Sequence, residues 1–210
     1  SQIIGTSSHG IELTSNTAGA GTTIRGIANA MPGALYGSIS GAASGVRDIT
    51  NGGDIYLADV ASISGGTGAG IFARSQGGLI TIQNIGSVSS DADCAIDADA
   101  RDRVPDPRGG DPSYSGGGAN ISIQNVSVPE SYDATTMTTT RSAQGIRAFS
   151  GTGTINIGAA DVANGSSIGD IFTTGKGIHA NSDDGDITIV TGGNIVAGDF
   201  GLHVQQGGDG

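Results

Sequence analysis

The sequence predicts an all-β fold: a single-stranded right-handed parallel β-helix, or β-solenoid, with three short strands in each coil of about 25 residues. Gly45-Val46-Arg47, Gly70-Ile71-Phe72-Ala73-Arg74-Ser75 and Ala95-Ile96-Asp97-Ala98-Asp99-Ala100 follow one another at steps of 25 residues. A second apolar series, Ile55-Tyr56-Leu57 and Leu79-Ile80-Thr81-Ile82, trails the first by nine residues. Apolar residues alternate within each segment, glycines separate the segments, and no helical period occurs, so the repeating unit is made of strands. Parallel strands joined by crossovers wind almost always to the right, which sets the hand.

Taken along the chain, the first strand of each coil starts at Val46, Ile71, Ile96, Ile146, Ile178 and Leu202, usually just after a glycine. The second starts at Ile55, Ile80, Ile121, Ile155 and Ile187, with Leu57, Ile82, Ile123, Ile157 and Ile189 two residues on. That spacing turns both side chains inward and leaves Tyr56, Thr81, Ser122, Asn156 and Thr188 outward. A third apolar point falls at Ile63, Val88, Val128, Val162 and Ile195. Corners at Gly52-Gly53, Gly77-Gly78 and Gly117-Gly118 suit positive φ or close backbone approach. Gln83-Asn84 and Gln124-Asn125 match in position, so their side chains can stack as a hydrogen-bonded ladder. Residues 1–44 read as irregular first coils, with starts at Gly10-Ile11-Glu12-Leu13 and Gly26-Ile27-Ala28 and a further coil at Leu35 or Ile39. Residues 45–210 read as regular coils, all within one β-helix segment. At about 4.8 Å of rise per coil, roughly seven or eight coils make a rod ~35–40 Å long.

Composition agrees with this architecture and narrows the function. Thirty-nine glycines, no tryptophan and 4% aromatics leave no material for a core built on large rings. Regular Ile and Val positions argue against disorder, and the glycines lack the third-residue period of collagen. A formal charge of −11 sets nucleic acid and anionic membrane surfaces aside as partners. The single cysteine, Cys94, has no internal disulfide partner, which fits either a reducing compartment or a secreted bacterial solenoid. With no leader pattern at Ser1 and an end at Gly207-Gly208-Asp209-Gly210 directly after a strand motif, the chain reads as a mature piece of something longer.

Insertions break the period at three places, about 101–117, 129–143 and 163–175, and solenoid insertions emerge as surface loops that often carry binding. The first two flank one face at adjacent coils and so predict a shallow binding groove. Asp97, Asp99, Arg147 and Phe149 form its floor, with Arg101, Arg103, Arg108, Tyr114 and Tyr132 supplied by the insertions. Loops tolerated at corners without function are the alternative. The cluster Asp91, Asp93, Asp97, Asp99 and Asp102 offers the paired carboxylates of a sugar-cleaving enzyme, or oxygens for calcium. Against both, Asp97 and Asp99 alternate with Ile96, Ala98 and Ala100 and so simply point outward, with Arg74 one coil away to neutralise Asp99. His179 and His203 share an outward slot and can stack, which is a weak metal site without a further ligand, and His9 lies apart. No nucleophile elbow, catalytic triad or phosphate loop occurs, and the outward series Thr81, Ser122, Asn156, Thr188 is too mixed for a regular ice-binding array. The expectation is no cofactor, no metal and no catalytic residue.

Gly70-Ile71-Phe72-Ala73-Arg74-Ser75-Gln76-Gly77-Gly78-Leu79-Ile80-Thr81-Ile82 resembles the repeat of autotransporter passenger domains, the pertactin-like β-helical adhesins of Gram-negative bacteria. Gly177-Ile178-His179-Ala180-Asn181-Ser182 followed by Gly185-Asp186-Ile187-Thr188-Ile189 is similar to it in turn. The family's signal peptide, membrane barrel and serine-protease signature do not occur in this sequence. The resemblance implies a non-enzymatic, monomeric segment of a secreted passenger. A C-terminal barrel outside this chain would display it at the cell surface, to bind host matrix protein or glycan or to self-associate in aggregation or biofilm. The alternative is a polysaccharide-active β-helix, a lyase, hydrolase or phage tailspike fragment, working through Asp97 and Asp99.

Overall fold

A computed structural model describes residues 2–25, 37–104, 113–158 and 167–207, with backbone alone at 102–104, 113–117 and 132–133. The described residues form strands and turns, with no helix. In chain order the strands begin with β1 (Gln2–Gly5), β2 (Ile11–Ser15), β3 (Thr22–Arg25), β4 (Ser38–Gly41), β5 (Val46–Thr50), β6 (Ile55–Gly65) and β7 (Ile71–Ser75). Next come β8 (Ile80–Ser90), β9 (Cys94–Asp99), β10 (Arg101–Val104), β11 (Ser113–Gly118), β12 (Ile121–Val126), β13 (Ser131–Asp133) and β14 (Thr138–Thr140). The last are β15 (Gln144–Ser150), β16 (Ile155–Ile157), β17 (Ile171–Phe172), β18 (Ile178–Ser182), β19 (Ile187–Ile189), β20 (Ile195–Val196) and β21 (Leu202–Gln206).

Two open sheets dominate, both parallel throughout. One runs β2-β5-β7-β9-β15-β18-β21, the other β1-β4-β6-β8-β12-β16-β19 with β3 also on β6. Successive strands of the first sheet stand in matched register, Val46 to Ile71 to Ile96 to Ile146 to Ile178 to Leu202. Those are the strand starts expected from the spacing, and Ile55, Ile80, Ile121, Ile155 and Ile187 pair likewise in the second sheet. The chain alternates between the sheets, an arrangement consistent with a parallel β-solenoid. Alternation of side chains does the packing: β5 and β7 run buried, half-buried, buried along their length. The inward isoleucines of both sheets, from Ile55 through Ile178, merge into one aliphatic core. Each such side chain contributes about 1.5–3 kcal/mol by burial.

The second sheet bends where the sequence shows only a polar step. Strands β6 and β8 each continue for 11 residues through a residue of positive φ, Asp59 at 60° and Asn84 at 54°; the six-residue β12 passes through Asn125 at 48° in the same way. Aspartate and asparagine tolerate this left-handed conformation better than other side-chain residues. Asn84 Nδ2 donates to Asp59 Oδ1 at 2.6 Å, and Asn125 Nδ2 to Asn84 Oδ1 at 2.9 Å. The expected Asn ladder therefore exists and is one step longer than the spacing suggested. Arg25 closes its lower end on Asp59 at 2.7 Å. At the other corner, a Cβ on Gly53 would lie 2.0 Å from the Ala20 carbonyl oxygen, which excludes any larger residue there.

Three expectations need correction. The segment 163–175 is not all loop, because Ile171 is fully buried and β17 pairs with β20 in register with Ile195. Ile171 also bridges Val128, so it takes the slot expected for Val162, which lies outside the described residues. Within 101–117 and 129–143 the chain forms antiparallel hairpins, β10 with β11 and β13 with β14, since a projecting loop satisfies its backbone by pairing with itself. The first 44 residues, whose spacing is irregular (Ile11 pairs with Val46, 35 residues on), nevertheless join the same sheets where described: β2 pairs with β5, β3 and β4 with β6, and β1 with β4. Ile39 accordingly lies in register with Ile63, while Gly26-Ile27-Ala28 and Leu35 fall outside the described residues.

Candidate functional site

Because β-strand side chains alternate, every second residue of the first sheet projects outward, and strand register stacks these residues in columns. One column reads Glu12, Arg47, Phe72, Asp97, Arg147, His179, His203; the other Thr14, Ile49, Arg74, Asp99, Phe149, Asn181, Gln205. Neighbours in and between the columns interlock. Arg47 pairs with Glu12 at 2.5 Å, and the guanidiniums of Arg47 and Arg74 lie 5.9 and 4.8 Å from the Phe72 ring centre. Arg101 reaches back from β10 to grip Asp99 with Nε and Nη2, each at 2.9 Å, while its guanidinium covers Phe149 at 4.7 Å. Arg147 donates to Asp97 through Nε at 3.1 Å and Nη2 at 2.5 Å. Phe149 meets His179 edge-on at 5.1 Å, and His179 and His203 stack at 4.5 Å with ring planes 4° apart.

The structure thus brings together Asp97, Asp99, Arg101, Arg147 and Phe149, as the spacing predicted. Asp97 and Asp99 do point outward but are not solvated: each is only 4% exposed, roofed by the guanidiniums beside it. Arg74 adds a longer ion pair to Asp99 at 3.8 Å, the neutralisation expected from its place one coil earlier. With both carboxylates held by bidentate arginines, their oxygens are committed to hydrogen bonds rather than offered to a substrate or cation. Asp97 in turn holds the Arg147 proton more tightly than usual, chiefly through the hydrogen bond between them. Arg103, Tyr114 and Tyr132 lie in the hairpin strands, their side chains outside the description, and Arg108 lies outside the described residues altogether. Among the described residues no group of three His, Cys, Asp or Glu is placed to hold a metal ion.

Cys94 opens β9 fully buried, and its thiol is pushed up to about 12. Burial is the main cause; the acidic neighbours Asp97 and Asp93 come after it and after the opposing pull of Arg147. His179 is driven the other way, down to about 4, by burial first and then by Lys176, His203 and Arg147. Its Nε2 is buried and makes no hydrogen bond of good geometry among the described residues, although the Gln205 side chain lies near enough to the ring to oppose the downward shift.

Beside this pair the face opens into a cavity of about 370 Å³, walled by Gln144, Arg147, Phe149, Lys176, His179 and Asp199. Lys176 Nζ donates to Nδ1 of His203 at 2.6 Å. The sequence reasoning reached Arg147 and Phe149 but missed Lys176, Gln144 and Asp199. One signal was present: Lys176 is the chain's only lysine. With Arg47, Arg74, Arg101 and Arg147 it places five of the chain's nine cations on or beside one face of an acidic molecule.

No protein-family model, curated protein or solved structure matches this chain.

Proposed function

We propose that this chain is a non-enzymatic segment of a secreted bacterial adhesin of the autotransporter-passenger kind, displayed on a Gram-negative cell and binding host matrix protein or glycan. In its finer form the proposal is a right-handed parallel β-helix of three strands per coil and roughly seven or eight coils. The matched register of the parallel sheets supports that winding. The observation carrying the functional reading is the outward face of the first sheet, whose arginines, aromatics and carboxylates hold one another in place across the strands. A surface fixed before contact loses less side-chain entropy when a partner docks. The enzymatic alternative is second, because Asp97 and Asp99 are engaged by Arg147 and Arg101.

The test is adhesion of the purified chain to immobilised matrix proteins and a glycan array, with and without residues 103–114. Retained fold and lost binding support the hairpin-flanked groove; unchanged binding removes it. Depolymerisation of any polysaccharide in a digestion panel would overturn the non-enzymatic reading.

Self-association is a second reading, favoured by the apolar residues left exposed at the two ends. Ile3 and Ile4 are 45% and 57% exposed on β1, and Phe200, Leu202 and Val204 are 54%, 52% and 47% exposed at β21. Set end to end, β21 of one copy meets β2 of the next, with His203 opposite Glu12. Sedimentation velocity over a concentration series checks this: Leu202→Lys should abolish any larger species.

A further inference from the structure

We infer that the cavity beside the histidine pair is a binding site for an acidic sugar, a uronic- or sialic-acid residue, held by its carboxylate at Lys176. The volume of about 370 Å³ lies at the small end of ligand pockets and suits one or two sugar rings. Lys176 carries three N–H donors. Its described hydrogen bond goes to His203 Nδ1, and among the described residues it has no carboxylate partner within 4 Å. That contrasts with Arg147 in the same wall, whose charge is answered by Asp97.

The second observation is that His179, stacked on His203, is itself a wall of the cavity. Gln144 and Asp199 on the remaining walls supply a further donor and acceptors for hydroxyls. Asp199 also argues against a dianion such as phosphate: a wall that holds an aspartate as well as a lysine fits a ligand of a single negative charge surrounded by hydroxyls. The inference concerns free sugars and does not depend on the chain being an adhesin.

Calorimetric or saturation-transfer titration of the intact 210-residue chain tests it, with the methyl glycosides of galacturonic acid and of N-acetylneuraminic acid, both with free carboxylates, as probes. Methyl galactoside and inorganic phosphate are the comparison ligands. Saturable binding of at least one acid is expected, ten-fold or more tighter than methyl galactoside or phosphate. Lys176→Ala should weaken it at least ten-fold, Lys176→Arg should retain it, and Asp199→Asn should weaken it more for the sugar than for phosphate. Each variant's melting curve, matched to the parent, keeps loss of fold apart from loss of binding. Absence of binding by both acids, equal binding of methyl galactoside or phosphate, or undiminished binding by folded Lys176→Ala would each overturn the site.

Discussion

Asp48 occupies the inward slot that alanine fills in the next four strands of its sheet, at Ala73, Ala98, Ala148 and Ala180. It is 1% exposed; one oxygen accepts from Thr22 Oγ1 at 2.6 Å and the other has no partner among the described residues. Burial raises its pKa above the ordinary 3.8. The folded chain therefore keeps a proton that the unfolded chain releases, and stability is lost as pH rises from that ordinary value through the raised one. Asp48→Ala should stabilise the protein by about 1 kcal/mol at neutral pH. In denaturant titrations the gain should disappear below about pH 3.8. His179 works in the opposite sense. Its folded value near 4 against 6.5 means stability present above pH 6.5 is lost as the pH falls from 6.5 toward 4. His179→Gln should flatten that part of the Tm–pH curve, and an unchanged curve would show that the ring is solvated.

At the scale of elements, the bends of β6, β8 and β12 join two requirements at one residue. The backbone needs positive φ at Asp59, Asn84 and Asn125, and the side chains need partners in the strands above and below. The two parts separate by substitution. Asn84→Gly keeps the backbone comfortable and loses the ladder, for a cost of about 1 kcal/mol. Asn84→Ala also forces an L-residue with a Cβ into the left-handed region and should cost about 2 kcal/mol in urea unfolding. Equal losses would mean that only the hydrogen bonds matter. The ladder also explains the low pKa of Asp59, whose carboxylate is favoured first by Asn84 and then by Arg25. Asn84 and Asn125 were legible as matching positions, because like residues recurred. Asp59 was hidden by its different side chain, although it has the same backbone conformation.

At the scale of the molecule, each strand rests on the strands above and below it, so stability is a sum of neighbour contacts and the ends have one neighbour fewer. The difference is visible in burial: β7 alternates buried and half-buried, whereas β21 is mostly exposed. Hydrogen exchange should show β21 and β1 amides exchanging well ahead of those in β7, β8 and β9, and uniform protection would contradict neighbour-by-neighbour stability. The same geometry decides what could be read from the chain alone. Strand starts, inward isoleucines, glycine corners and the outward columns through Asp97 and Asp99 were all legible, because side-chain direction in a strand is local and repeats every two residues. The hairpins within the insertions, the place of Ile171 in the third apolar series and the cavity at Lys176 were not. Gln144 and Lys176 meet only after insertions of unequal length have set which strand lies on which, and Asp97 becomes buried only once Arg147, 50 residues later, folds over it. The sequence by itself determined the repeating strand and the direction of its side chains; the tertiary structure decided their neighbours, because partnership across strands depends on register summed over the whole intervening chain.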